Sequence, residues 1–95
     1  MTLELNDPEL LKSQAYIDGA WVDADNGETI AVTNPVNGST IVEIARCGGA
    51  ETRRAIDAAH IAQRSWRRTT AKERAVLLRN WFNLMMAAQE DLARI

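Results

Sequence analysis

The sequence predicts an α+β chain, with N-terminal antiparallel β hairpins followed by a long two-helix hairpin. Three observations carry this. Asp18-Gly19 lies between two apolar runs and is a strong type I′ hairpin signal. Gly48-Gly49 separates strand-like from helix-like periodicity. Residues 70–95 contain no Gly or Pro and are rich in good helix formers.

Taken in order, Asp7-Pro8-Glu9 predicts a short helix over 8–13. Asp7 is its N-cap, Pro8 its first helical residue, and Glu9 lies at the positive end of its dipole. Residues 15–45 are expected to be β hairpins. Ala15-Tyr16-Ile17 and Ala20-Trp21-Val22 flank the Asp18-Gly19 turn, and Asp23-Ala24-Asp25-Asn26-Gly27 is a polar turn. In the next strand, Ile30 and Val32 share one face. Asn34-Pro35-Val36-Asn37-Gly38 is a second turn, because Pro35 drives Asn34 out of the helical region and Gly38 admits positive φ. Residues 40–45 return antiparallel. This β structure is too slight to stand without something packed on it.

The first helix is expected over 50–67. Ala55, Ala58, Ala59 and Ala62 share an arc with Ile56 and Trp66, leaving little side-chain bulk to keep another backbone away. Arg53, Asp57, His60, Arg64 and Arg68 fill the other side. Thr69-Thr70 then turns the chain into a second helix over 71–95. Thr70-Ala71-Lys72-Glu73 is a capping box in which hydroxyl and carboxylate each satisfy an otherwise orphaned amide. At about 100° per residue, Leu77, Leu78, Trp81, Phe82, Leu84, Met85, Met86 and Leu92 share an arc roughly 200° wide. A helix lying on one surface needs only about half of that, so this one wants partners on two sides. Its 26 residues would span roughly 39 Å, about the width of a domain, and no stop signal follows Leu92-Ala93-Arg94-Ile95. The helix is expected to be truncated and the chain to be the N-terminal piece of something larger.

The composition is that of a globular chain, 46% hydrophobic and 25% charged. Its net charge of −2 hides a split: residues 1–45 carry eight acids and one base, residues 46–95 ten bases and five acids. Such a split can flag a basic nucleic-acid arm, and it can equally mean two halves that attract each other. One Cys excludes an intrachain disulfide. The N-terminus has neither a basic region nor a long apolar run, so no signal peptide or membrane span is expected, and the cytoplasm is the expected compartment.

Candidate chemistry is sparse. Cys47 precedes a helix start and neighbours Arg46, but no second group is spaced to activate it, so it reads as an ordinary free thiol. His60 lies between Arg53 and Arg64 without partners for a metal site, and reads as a solvated surface residue. The arginines number nine. Those of the first helix lack interleaved aromatics and are interrupted by Asp57, which favours a solvated or salt-bridging face over a nucleic-acid interface. Arg74 falls inside the apolar arc, where its head is expected to pair with a carboxylate. Trp66 and Trp81 read as core. Cys47-Gly48-Gly49 does not fit the G-x-G-x-x-G phosphate loop. No residue is assigned a catalytic, cofactor-binding or metal-ligating role.

The order of local motifs nevertheless resembles a family. Ile17-Asp18-Gly19-Ala20-Trp21, then Gly27, then Val32-Thr33-Asn34-Pro35-Val36-Asn37-Gly38, then Ala55-Ile56-Asp57-Ala58-Ala59 with Trp66, then Glu73-Arg74-Ala75 with Leu77-Leu78, then Asp91-Leu92-Ala93, looks like the start of an NAD(P)-dependent aldehyde dehydrogenase. The resemblance is strongest to bacterial succinate-semialdehyde dehydrogenases. It rests there on Leu5-Asn6-Asp7-Pro8, Thr70-Ala71-Lys72-Glu73-Arg74 and residues 78–86, and near relatives act on glutarate semialdehyde.

This resemblance implies a larger α/β, Rossmann-like subunit of which the chain is about the first fifth. It implies NADP or NAD as cofactor of the parent protein, with none bound by this portion. Its partner would be the remainder of the same subunit, in a homo-oligomeric parent (dimer or tetramer), with no nucleic-acid or membrane partner. The implied chemistry is thiolate attack on the aldehyde, hydride transfer to the nicotinamide and thioester hydrolysis, by residues beyond this stretch. In some members carbonyls matching Val32 and Thr33 hold a monovalent cation, but the acid that completes that site is missing here. The alternative expectation is a self-contained helical-hairpin interaction module, joined through Trp81, Phe82, Met85 and Met86 and without catalysis.

Overall fold

The computed structural model describes residues 3–95. A single 3-10 turn at Pro8–Leu10 follows an N-terminal arm. Asp7 caps it, its Oδ1 accepting from the Glu9 amide at 3.1 Å. The turn is shorter than the helix expected over 8–13, because the cap signal lies ahead of Leu10-Leu11, which carries no helical repeat.

Strands β1 (Ala15–Ile17) and β2 (Ala20–Val22) form the first hairpin, with Tyr16 opposite Trp21. Asp18 at φ 50° and Gly19 at φ 76° give the expected turn. The Tyr16 and Trp21 rings meet edge to face at 5.0 Å, and the Lys12 ammonium lies 5.1 Å from the Trp21 ring. Strands β3 (Thr29–Thr33) and β4 (Thr40–Ala45) form a second antiparallel pair. Ile30 faces Ile44 and Val32 faces Val42, after which the register slips by a residue at Ile41. Asn34 organises the turn between them, its side chain accepting from the Val36 amide at 2.9 Å and its amide donating to Ser39 at 2.7 Å.

Helix α1 (Gly49–Trp66) begins at Gly48 without a side-chain cap. Its N-terminus is tied instead to the polar turn before β3. Buried Glu51, 6% exposed, accepts from the Asp25 amide at 3.3 Å. A forked Arg54–Asp25 pair lies beside it at 2.7 and 2.9 Å. Along its length α1 rests on β1.

Helix α2 (Ala71–Ala87) starts at the predicted capping box: Glu73 N–H donates to Thr70 Oγ1 at 3.1 Å, and Thr70 N–H to Glu73 Oε2 at 3.0 Å. It is not continuous to the end, as the sequence reading over 71–95 had it. Ala88, at φ −105° and ψ 18°, leaves helical geometry, and α3 (Gln89–Arg94) follows. No Gly or Pro marks the break, and tertiary bonds adjoin it. Asp91 Oδ1 and Oδ2 accept from the Asn6 and Asp7 amides at 2.8 Å each, and Arg94 Nη1 donates to the Glu4 carbonyl at 2.9 Å.

The two helices turn into one another through Thr69-Thr70, yet α1 and α2 do not lie against each other along their lengths. The radius of gyration is 16.6 Å, where a compact chain of this size has about 12 to 13 Å. The accessible surface is 7726 Å², against roughly 5,500 Å² for a folded monomer of this mass. Among the described residues, Ala24 is the one buried apolar side chain. Polar ties close the fold where an apolar core would ordinarily do so.

Candidate functional site

With so little buried, the site of interest is the surface that lacks cover. Helix α2 projects with its whole apolar arc open, from Leu77 through Trp81 and Met85 to Met86. Trp81 is 62% and Leu84 71% exposed. The arc follows from spacing alone, since i, i+3, i+4 and i+7 positions superpose along one side. Exposure across its full width follows from the Thr69-Thr70 turn, which carries α2 away from α1. Monomers rarely expose apolar patches of this extent, and those that do use them as docking surfaces.

The side chains singled out in the sequence fall into separate places. Cys47 is a half-buried free thiol. His60 is exposed on α1. Trp66 and Trp81 are not core in this chain: Trp66 is 37% exposed and Trp81 more so. Arg74 is half-buried, as its place in the arc implied, and within this chain its head is held by groups other than a carboxylate. Its Nε donates to Thr69 Oγ1 at 2.8 Å, its Nη2 donates to the Trp66 carbonyl at 2.9 Å, and the guanidinium lies 5.5 Å from the Trp66 ring. Within this chain the C-terminus of α1, with its partial negative charge, holds the guanidinium.

Where the chain enters α1, a groove is lined by Asp25, Glu28, Arg46, Cys47, Gly48 and Glu51, among others. The hydrogen bond from Arg54 holds the Asp25 carboxyl below its ordinary value, against a smaller opposing effect of desolvation and with further help from Coulomb attraction. The same bond raises Arg54. Three carboxylates meet here beside the α1 N-terminus, with Arg46 in the same lining and Arg54 paired to Asp25. Among the described residues, no group of three or more His, Cys, Asp and Glu is placed to hold a metal ion. No described helix is long and apolar enough to cross a membrane.

Sequence reasoning missed Glu51, the Asp25–Arg54 pair and Asp91 as the residues that tie the elements together. Glu51 had a local signal, an acid in a first helical turn. Asp91 had none, because its partners are backbone amides some 85 residues away.

Comparison with known proteins completes the description. The model of the Aldehyde dehydrogenase family matches residues 21–95. The 3-sulfolactaldehyde dehydrogenase of Pseudomonas putida is 59% identical over 93 residues, which are 98% of this chain and 19% of that protein. Succinate-semialdehyde dehydrogenase [NADP(+)] GabD of Escherichia coli K12 is 57% identical over the same shares. Among solved structures, an E. coli NADP dependent enzyme superposes with a TM-score of 0.93 at 58% identity, covering 96% of this chain and 19% of that one. Succinate-semialdehyde dehydrogenase from Burkholderia pseudomallei gives 0.91 at 48%, covering 94% of this chain and 18% of that one. The chain thus spans about a fifth of the length of these relatives.

Proposed function

The chain belongs to the aldehyde dehydrogenase family, and we propose that it serves as the N-terminal scaffold portion of an NAD(P)-dependent semialdehyde dehydrogenase. The parent reaction is oxidation of succinate semialdehyde by NAD(P)+ and water to succinate and NAD(P)H, in a cytoplasmic homo-oligomer. The portion itself supplies no reacting group. Cys47 is a half-buried free thiol to which no catalytic role is assigned. Its contribution is to seat the rest of the subunit.

The observation that carries this reading is the bare apolar arc of α2. Burying it releases about 25 cal/mol for each Å² removed from water, and its large side chains stand about half or more exposed among the described residues. The names of the relatives supply the reaction class, and the NADP in two of them supports a nicotinamide cofactor.

The test is a chimera in which this chain replaces the matching region of the E. coli succinate-semialdehyde dehydrogenase. NADPH formation from succinate semialdehyde is expected to persist, within about tenfold of the unmodified enzyme (roughly 1.4 kcal/mol in the barrier). An insoluble or inactive chimera would overturn the reading. The chain alone, given the same aldehyde and NADP+, is expected to form no NADPH.

A further inference from the structure

We propose that Asp91 and Arg94 form a clasp that holds the N-terminal arm, residues 3–11, against α3 and so sets the direction in which α2 presents its apolar face. The proposal rests on the scaffold reading for its purpose but on geometry for its content. Asp91 is only 4% exposed. A carboxylate that buried is costly unless its oxygens are satisfied. Here each oxygen takes one N–H from consecutive residues, Asn6 and Asp7, at 2.8 Å, and no buried polar side-chain atom among the described residues lacks a partner. Three residues on, Arg94 reaches the Glu4 carbonyl. One face of α3 therefore grips three successive points of the arm.

The chemistry is specific to an aspartate. Two adjacent amide donors need two acceptors, and an asparagine offers one acceptor and turns an NH2 toward the second N–H. A glutamate is a methylene longer and would displace the arm.

The grip matters because little else joins this end of the molecule to the rest. The described elements that pack appreciably are the strands within each hairpin, α1 on β1, and α2 with α3. Helix α2 is tied to the end of α1 by Arg74, and α3 to the arm by the clasp, beside a groove lined by Asp7, Leu10, Leu84, Met86 and Ala88. Ala88 is the joint that lets α3 obey the arm while α2 obeys the capping box at Thr70. Closing a loop of this length costs chain entropy, so the arm and α3 are expected to lock and release together.

Amide hydrogen exchange in the chimera reads this directly. In Asp91→Asn, exchange at Asn6 and Asp7 is expected to quicken by roughly tenfold or more, with the Leu92 and Ile95 amides following and those in the middle of α1 unchanged. The exposed neighbour substitution Glu90→Gln is expected to leave all of them as they were. If Asp91→Asn does not fold, Arg94→Gln reads the same amides, with a smaller quickening expected. An arm whose exchange ignores whichever of the two variants folds, or responds without α3, overturns the clasp. NADPH formation in the unsubstituted chimera is recorded on the same sample. Loss of that activity counts against the scaffold reading, whereas unresponsive amides in an active chimera count against the clasp alone.

Discussion

Gly19, at φ 76° with open space around the position of a Cβ, is constrained by backbone conformation rather than by packing. Gly19→Ala is therefore expected to lower stability by about 1 kcal/mol, read as a shift of the thermal melt of the chimera. Gly19→Asn, whose side chain tolerates the left-handed region, is expected to cost less. At Asp25 the prediction concerns pH. Its folded value is depressed, chiefly by the Arg54 hydrogen bond. The pair's contribution is thus complete above the ordinary aspartate range and is lost as pH falls through the depressed folded value. Both side chains are about half exposed, so the effect is small. Unfolding curves of Arg54→Met and the parent chimera are expected to differ at neutral pH and to converge in acid.

The two long helices show how differently an element's start is secured. Helix α2 carries both bonds of its capping box, and Thr70→Ala is expected to cost about 1 kcal/mol in denaturant midpoint experiments. Helix α1 starts at an extended Gly48 whose missing Cβ meets nothing. Gly48→Ser is expected to gain a few tenths of a kcal/mol by supplying the absent cap. Element ends are less local. The C-terminus of α1 takes Arg74 from the next helix beside its own Thr69, and the end of α2 adjoins the bonds of Asp91 to the arm across the molecule. Sequence pattern identified both starts from local signals, the capping box at Thr70 and the change of periodicity at Gly48-Gly49. It missed the break at Ala88, which no Gly or Pro marks.

At the scale of the whole molecule, apolar surface is presented rather than buried. The chain alone is expected to bind a hydrophobic dye strongly and to self-associate, and the active chimera to bind little. Replacing Trp81 and Phe82 together by Ser is expected to lower dye binding by the chain and to abolish soluble assembly of the chimera. A dye-silent, monodisperse chain would contradict the picture of α2 as a docking helix.

The hairpins, the turn types, the capping box, the order of elements and the width of the α2 arc were all legible in the residues, because each depends on neighbours within a few positions. Periodicity also showed that α2 needs cover on more than one side, although it could not show that α1 leaves all of it bare. The family was legible too, in motifs spread from the first hairpin to Asp91-Leu92-Ala93. What only the tertiary structure decided was which polar groups close the fold: Glu51 and Arg54 on the Asp25 turn, Arg74 on the end of α1, and Asp91 with Arg94 on the arm. Those bonds are made largely to backbone amides and carbonyls, which every residue carries. A partner that any sequence would supply leaves no mark in this one.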